Sequence, residues 1–279
     1  MTGIRRVNWR IIWNIAVKDW KEVRGNRMAW LPSIILPLIF VVVLPLVVTL
    51  LPQALYVSPV AMMTEFQPLI DVMPPAVAAE IASLDGNQTL LVVVLGFMLA
   101  PMFLILPLMV ASIVGADSIV GEKERKTLEA LLYTPASDSE LYIAKLLSAV
   151  GPAVALSWVS FAVYILVVNV SGMPIMGRVW FPLAHWIPLI FWVAPAIATL
   201  GMSVIVMVSS RVSTFMEAQQ TSGILVLPIV LLVIGQVSGV IYLSVELVVA
   251  LGAVIWLVDA VLIWLGLKQF SRSALMARI

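Results

Sequence analysis

The sequence contains no cysteine, a single histidine and only 11% charged residues in a chain of 279. Without cysteine there is no disulfide, no thiolate metal site and no cysteine nucleophile. One histidine, His185, makes no metal site; its place beside Trp186 predicts an interfacial residue. The chain has no G-x-x-x-x-G-K-[ST] phosphate loop, so it carries no nucleotide site of that kind. It also lacks a G-x-S-x-G elbow, an H-E-x-x-H pair and a pair of intramembrane aspartates, which speaks against a hydrolase. No internal repeat and no low-complexity tract is present. The net charge of +1 carries no argument for nucleic acid.

What the chain does have is oil. Hydrophobic residues make up 62% of it, and the mean hydropathy is +1.11. A spanning helix needs about 20 apolar residues, because lipid cannot satisfy exposed backbone groups. Residues 29–51, 89–115, 146–168, 186–208, 221–241 and 247–267 meet that length, with the last two divided near Tyr242–Glu246. The expected fold is therefore all-α and polytopic. It comprises an N-terminal segment 1–28, a six-span domain 29–267 and a tail 268–279. Within the domain, 52–88 is an outer loop and 117–145 an inner one. The N-terminus does not read as a cleavable signal, because a long polar-rich segment precedes the first apolar run.

Charge orients the spans. Fifteen of the 16 basic residues fall in 1–28, 117–145, 209–220 and 268–279, on one side; only Arg178 falls on the other. Loop 52–88 has no basic residue and carries Glu65, Asp71, Glu80 and Asp85. By the positive-inside rule both termini and the 117–145 loop are cytoplasmic. The expected location is a plasma membrane, of prokaryotic type. Before the first span, Trp9, Trp13, Ala16, Trp20 and Val23 recur at helical spacing, while Arg10, Lys18, Lys21 and Arg24 fall elsewhere. That pattern predicts an amphipathic helix lying in the interface. In the outer loop, PPAVAAEIASLDG predicts a short helix with proline at its start and Gly86 after its end. Prolines within or near several spans each remove a backbone hydrogen bond and permit a kink.

The most informative stretch is a charged island. Ten of the 31 charged residues lie between Asp117 and Lys145. From Glu122 to Tyr133 the composition favours a helix. Leu128, Leu131 and Leu132 form an apolar stripe, and Glu122, Glu124, Arg125, Lys126 and Glu129 form a wet face. Thr134-Pro135 stops it. Ser137-Asp138-Ser139-Glu140 then matches a capping box that opens a helix running into the third span.

The segment GEKERKTLEALLYTPASDSELYIAKLL resembles the signature loop of the type-2 ABC exporter permeases. There an acidic-basic run followed by TLE-x-LL-x-x-P precedes a helix bearing a lysine. Glu122, Glu124, Thr127, Leu128, Glu129, Leu131, Leu132, Pro135 and Lys145 stand at matching positions. The commonest family residue before the threonine is glycine, whereas this chain has Lys126, a departure that bears on the local backbone turn. KDWKEVRGNRMAWLPSIILPLIFVVVLPL and SSRVSTFMEAQQTSGILVLPIVLL resemble other stretches of the same family. The resemblance implies a permease subunit forming half of an export pathway. Residues 122–135, Arg125 included, would be a coupling helix seated on a separate cytoplasmic ATPase. Two ATPase copies, with their ATP and Mg, and a second permease in a homodimer or paired heterodimer are implied. The chain itself is then not an enzyme and holds no cofactor or metal.

Four polar groups stand apart. Asp259 lies well inside the last span, where an ionisable group costs about 2.5–3.5 kcal/mol on insertion scales. Its reading is a pathway or a packing role. The alternative function built on it is a self-sufficient secondary transporter or channel. Glu217 and Gln220, with Gln219, sit at the mouth between the fourth and fifth spans. Substrate is not legible; the short outer loops lean towards a small amphiphile, drug or peptide.

Overall fold

The computed structural model describes residues 8–25, 27–55, 67–127, 136–209 and 211–269. It is helical throughout, with no strand among the described residues, and six helices are long and apolar enough to cross a membrane. The spans are Leu31–Leu50, Gly86–Glu124, Asp138–Met176, Trp186–Val208, Phe215–Val237 and Val245–Lys268. The second and third have 39 residues each, about 58 Å at 1.5 Å per residue, against a hydrocarbon thickness of about 30 Å. Both therefore project beyond the bilayer. The second is also the centre of the bundle: 83% of its apolar window is buried, against 17% in the fifth and sixth spans.

The N-terminal helix, Trp9–Gly25, packs against the third span. Its buried face is Ile12, Ile15, Ala16 and Asp19, one helical stripe at spacings of three and four. The tryptophan face lies beside this stripe. Trp9 and Trp13 stay exposed, as rings at headgroup depth do, while Trp20 donates its indole N–H to the Ser148 carbonyl at 2.7 Å. In the outer loop a short helix covers Pro75–Ala82. Gly86 does not close that helix, as the sequence had led us to expect. It opens the second span instead, behind an Asp85–Gln88 capping box, because the Asp85 side chain supplies an acceptor for the next helix's free N–H. The fifth and sixth spans part at 238–244, a few residues before the expected break. Gly239 has φ 70°, and a Cβ there would stand 2.3 Å from the Pro68 carbonyl oxygen, so only glycine fits this turn.

Among the described residues, four stretches of the spans widen locally to i→i+5 bonding: Ile39–Val43, Val92–Met98, Asp117–Gly121 and Leu189–Val193. Three are followed within three residues by a proline, Pro45, Pro101 and Pro195 respectively. Proline has no N–H and clashes with the carbonyl four residues back, and a π turn is one way for a helix to absorb this. The freed carbonyls still need donors in lipid. Around Pro101 they receive them from three other spans. Tyr164 donates to the Leu95 oxygen at 2.8 Å, and Gln236 to the Phe97 oxygen at 3.4 Å. The Gly96 oxygen accepts from both Trp186 Nε1 at 2.7 Å and His185 Nε2 at 3.1 Å.

His185 is therefore not interfacial. It is buried, stacked on Phe97 with ring centres 4.9 Å apart, because the opened helix offers it an acceptor. Trp186, fully buried, is the middle of an aromatic cluster with Phe103, Phe161, Tyr164 and Phe181.

Candidate functional site

At the basic end of the bundle, the second span finishes in Glu122-Lys123-Glu124-Arg125, and each of these four residues is fastened to a different place. Glu122 is 1% exposed. One carboxylate oxygen takes Lys18 of the N-terminal helix at 2.7 Å, and the other takes Lys145 of the third span at 2.8 Å. Lys123 donates to the Val212 carbonyl at 3.1 Å, just before the fifth span. Glu124 accepts the backbone N–H of Phe215 at 2.9 Å, satisfying one of the free donors at the start of that span. Arg125 folds back onto Asp117 at 2.9 Å. Gly121 makes room for it: a Cβ there would lie 3.0 Å from both the guanidinium and the Asp117 carboxylate.

Lys145, also 1% exposed, has all three of its donors engaged. They reach Glu122, Asp19 at 3.1 Å and the Ser118 carbonyl at 2.7 Å, a carbonyl of the π segment Asp117–Gly121. Ser118 Oγ completes the ring by donating to Asp19 at 2.9 Å. Farther along, Glu140 accepts the Asn8 N–H at 2.7 Å and the Ser137 N–H at 2.8 Å. The N-terminal helix is thus tied to the third span at its first turn and again at Lys18–Asp19. The Ser137 capping box starts the third helix as the sequence pattern predicts.

Electrostatically the junction balances. Asp19 and Glu122 face Lys145 and Lys18, two charges of each sign. Burial pushes the Asp19 carboxyl above its ordinary value, against the pull of Lys145. For Lys18, burial opposes the charge, but Glu122 and Glu22 outweigh it and hold the amine above its usual value. Oxygens of Asp19, Glu22 and Glu122 lie within 4.8 Å of one another, a spacing that suits a cation. The two ammonium groups already occupy that role, so the donor set does not call for a metal. Among the described residues no nucleophile, base and oxyanion donors converge here. What the arrangement can do is carry displacement. Moving 122–125 pulls on the N-terminal helix, the third span and the fifth span together.

Several expected features differ. The helix predicted for 122–133 is only Glu122–Glu124 among the described residues, followed by a turn at Arg125 and Lys126. Lys126 has φ 57°, the left-handed conformation, which ends it. Glu122 is not on a wet face, because a buried lysine on the third span requires it. Thr127 donates to the Glu122 carbonyl from both its N–H, at 2.9 Å, and its hydroxyl, at 3.3 Å. Leu128, Glu129, Leu131, Leu132 and Pro135 lie outside the described residues. Glu217 is exposed and caps Ser213 and Thr214 at the start of the fifth span; Gln220 is exposed too. Asp259 is completely buried in the sixth span, and neither carboxyl oxygen has a hydrogen-bond partner among the described residues. Sequence reasoning did not single out Asn8, Asp19 or Ser118. Asp19 had one cue, an acid in phase with the apolar stripe Ile12–Ile15–Ala16.

The family model described as ABC-2 family transporter protein matches residues 13–270. This chain belongs to that family. No curated protein and no solved structure matched it. An ABC-2 protein is the membrane subunit of an ABC transporter, not itself catalytic, and its family works with an ABC ATPase. In this ABC-2 permease the charged junction is where the second span leaves the bundle and enters the segment that carries the family-like motif.

Proposed function

We propose that this permease subunit forms half of an ATP-driven export pathway and takes its work from a separate ATPase through residues 122–135. The observation that carries the reading is the four-way fastening of Glu122-Lys123-Glu124-Arg125. A push on the segment beyond Arg125 reaches three elements through contacts of 2.7–3.1 Å. On this reading the termini and the junction are cytoplasmic, in a prokaryotic plasma membrane. ATP and Mg are held by two copies of the partner ATPase. A second permease, identical or paired, completes the pathway. The cargo class is a small amphiphile, drug or peptide.

The test is co-reconstitution with the copurified ATPase. Leu128→Asp is expected to abolish transport-coupled ATP hydrolysis while thermal unfolding of the permease stays unchanged. Retained full coupling, or labelling that puts 122–135 outside the cell, overturns the reading. Asp259, buried and without a hydrogen-bond partner among the described residues, favours a second reading, ion-driven flux by this chain alone. Absence of gradient-driven flux in liposomes lacking the ATPase removes it.

A further inference from the structure

Beneath the N-terminal helix a groove of about 570 Å³ runs between the first and third spans, with the second span as its floor. Buried Val114 floors it, exposed Ile34 and Val159 line its sides with aliphatic surface, and its third-span wall runs from Pro152 to Val159, about 10 Å of helix rise. Trp20, pinned to the Ser148 carbonyl, forms the wall nearest the helix. At the rim the groove shares Val17 and Lys21 with a second, more open recess of about 530 Å³ along the helix surface, where Asn14 lies. The pair of recesses is thus oily within and polar at the mouth, the chemistry of an amphiphile's tail and head.

Charge selects among amphiphiles. Lys18, on the same rim, is already neutralised by Glu122 and Glu22. Lys21 is exposed and enters no ion pair among the described residues. A cation without a partner at the mouth of an apolar groove complements a phosphate whose headgroup brings no cation of its own. Trp9 and Trp13, exposed on the same helix, set this mouth at headgroup depth. We propose that the groove under the N-terminal helix is a binding site for an anionic phospholipid, with an acyl chain between the first and third spans and its phosphate at Lys21.

The site is tested by reconstituting the full chain with equal phosphatidylglycerol and phosphatidylcholine, then extracting it and weighing the retained lipid by native mass spectrometry. Phosphatidylglycerol is expected to be retained over phosphatidylcholine. Lys21→Glu lowers that retention by at least about fivefold, the effect of losing one basic residue at an anionic surface, since the new carboxylate adds repulsion, and leaves phosphatidylcholine unchanged. Ala155→Trp, an exposed position in the groove, lowers both. Equal retention of the two lipids, indifference of phosphatidylglycerol to Lys21→Glu, or a non-lipid amphiphile in the groove overturns the proposal.

Discussion

At Val92–Met98 and again at Asp117–Gly121 the second span widens to the π form, but only the first widening is followed by a proline, Pro101. The first is sealed by neutral donors: a tyrosine, a histidine, a tryptophan and a glutamine from three other spans. The second is held by charge, with Lys145 on the Ser118 carbonyl and Arg125 on Asp117. The difference is physical. Neutral side chains wedged among aromatic rings have one good arrangement, so the inner hub is a fixture. Ammonium groups on flexible stems can change carboxylate partners and keep the cluster neutral. A joint built that way resists being broken but tolerates being moved, which is what the proposed coupling role asks of it.

The sharpest way to break the contrast is Lys145→Met. It leaves Asp19 and Glu122 facing each other with only Lys18 between them, and removing one partner from a buried ion cluster costs about 3–5 kcal/mol. We expect a large fall in Tm of the detergent-solubilised permease, partly recovered by adding Glu122→Gln. A Lys145→Met protein as stable as the parent would mean that the junction carries no energy.

The inner hub should answer differently. His185→Leu or Trp186→Phe alone leaves the Gly96 carbonyl one donor. The double substitution orphans it, at an added cost of about 1–3 kcal/mol. Unfolding measurements on the two singles and the double should therefore be non-additive, and the non-additivity should not change with pH between 6 and 8. Additive losses would show that the carbonyl does not couple the two rings.

A smaller effect separates attraction from burial inside the junction. Asp19→Asn keeps an acceptor for Ser118 and is expected to cost about 1 kcal/mol, far less than losing Lys145. The sign of its pH dependence follows from the raised pKa. Protonation of Asp19 favours the folded state, so its contribution is full below the ordinary value of 3.8 and fades as pH rises through the folded value. The cost of Asp19→Asn should shrink as pH rises over that window. A cost that grows instead would mean that Lys145 outweighs burial at this site.

Much of this was legible in the chain, and the rest was hidden for identifiable reasons. Six spans, the fold class and the Ser137–Glu140 box follow from length, apolarity and local hydrogen-bonding chemistry, which are properties of neighbouring residues. Glu122 was misread because its partners lie 104 and 23 residues away, and a run of mixed charge looks the same whether water or two lysines surround it. His185 was misread because its acceptor exists only once Pro101 has opened the second span. Prolines announced that some carbonyls would be free, but not which side chains would reach them.

Lys126 is where sequence and structure meet most narrowly. The family-like motif has glycine most often before the threonine, and here lysine takes that position with φ 57°. A side chain in the left-handed region costs about 1–2 kcal/mol because its Cβ crowds the following carbonyl. Thr127, bonded twice to the Glu122 carbonyl, holds the turn in spite of that cost. Lys126→Gly relieves the crowding but gives the unfolded chain more freedom, about 0.5–1 kcal/mol in the other direction. The net expectation is a gain of about 0.5 kcal/mol, read as a small rise in Tm. Lys126→Ala retains the Cβ and should give none of it. If the alanine variant gains as much as the glycine one, the lysine charge and not the backbone sets the cost, and the turn beyond the junction is unstrained.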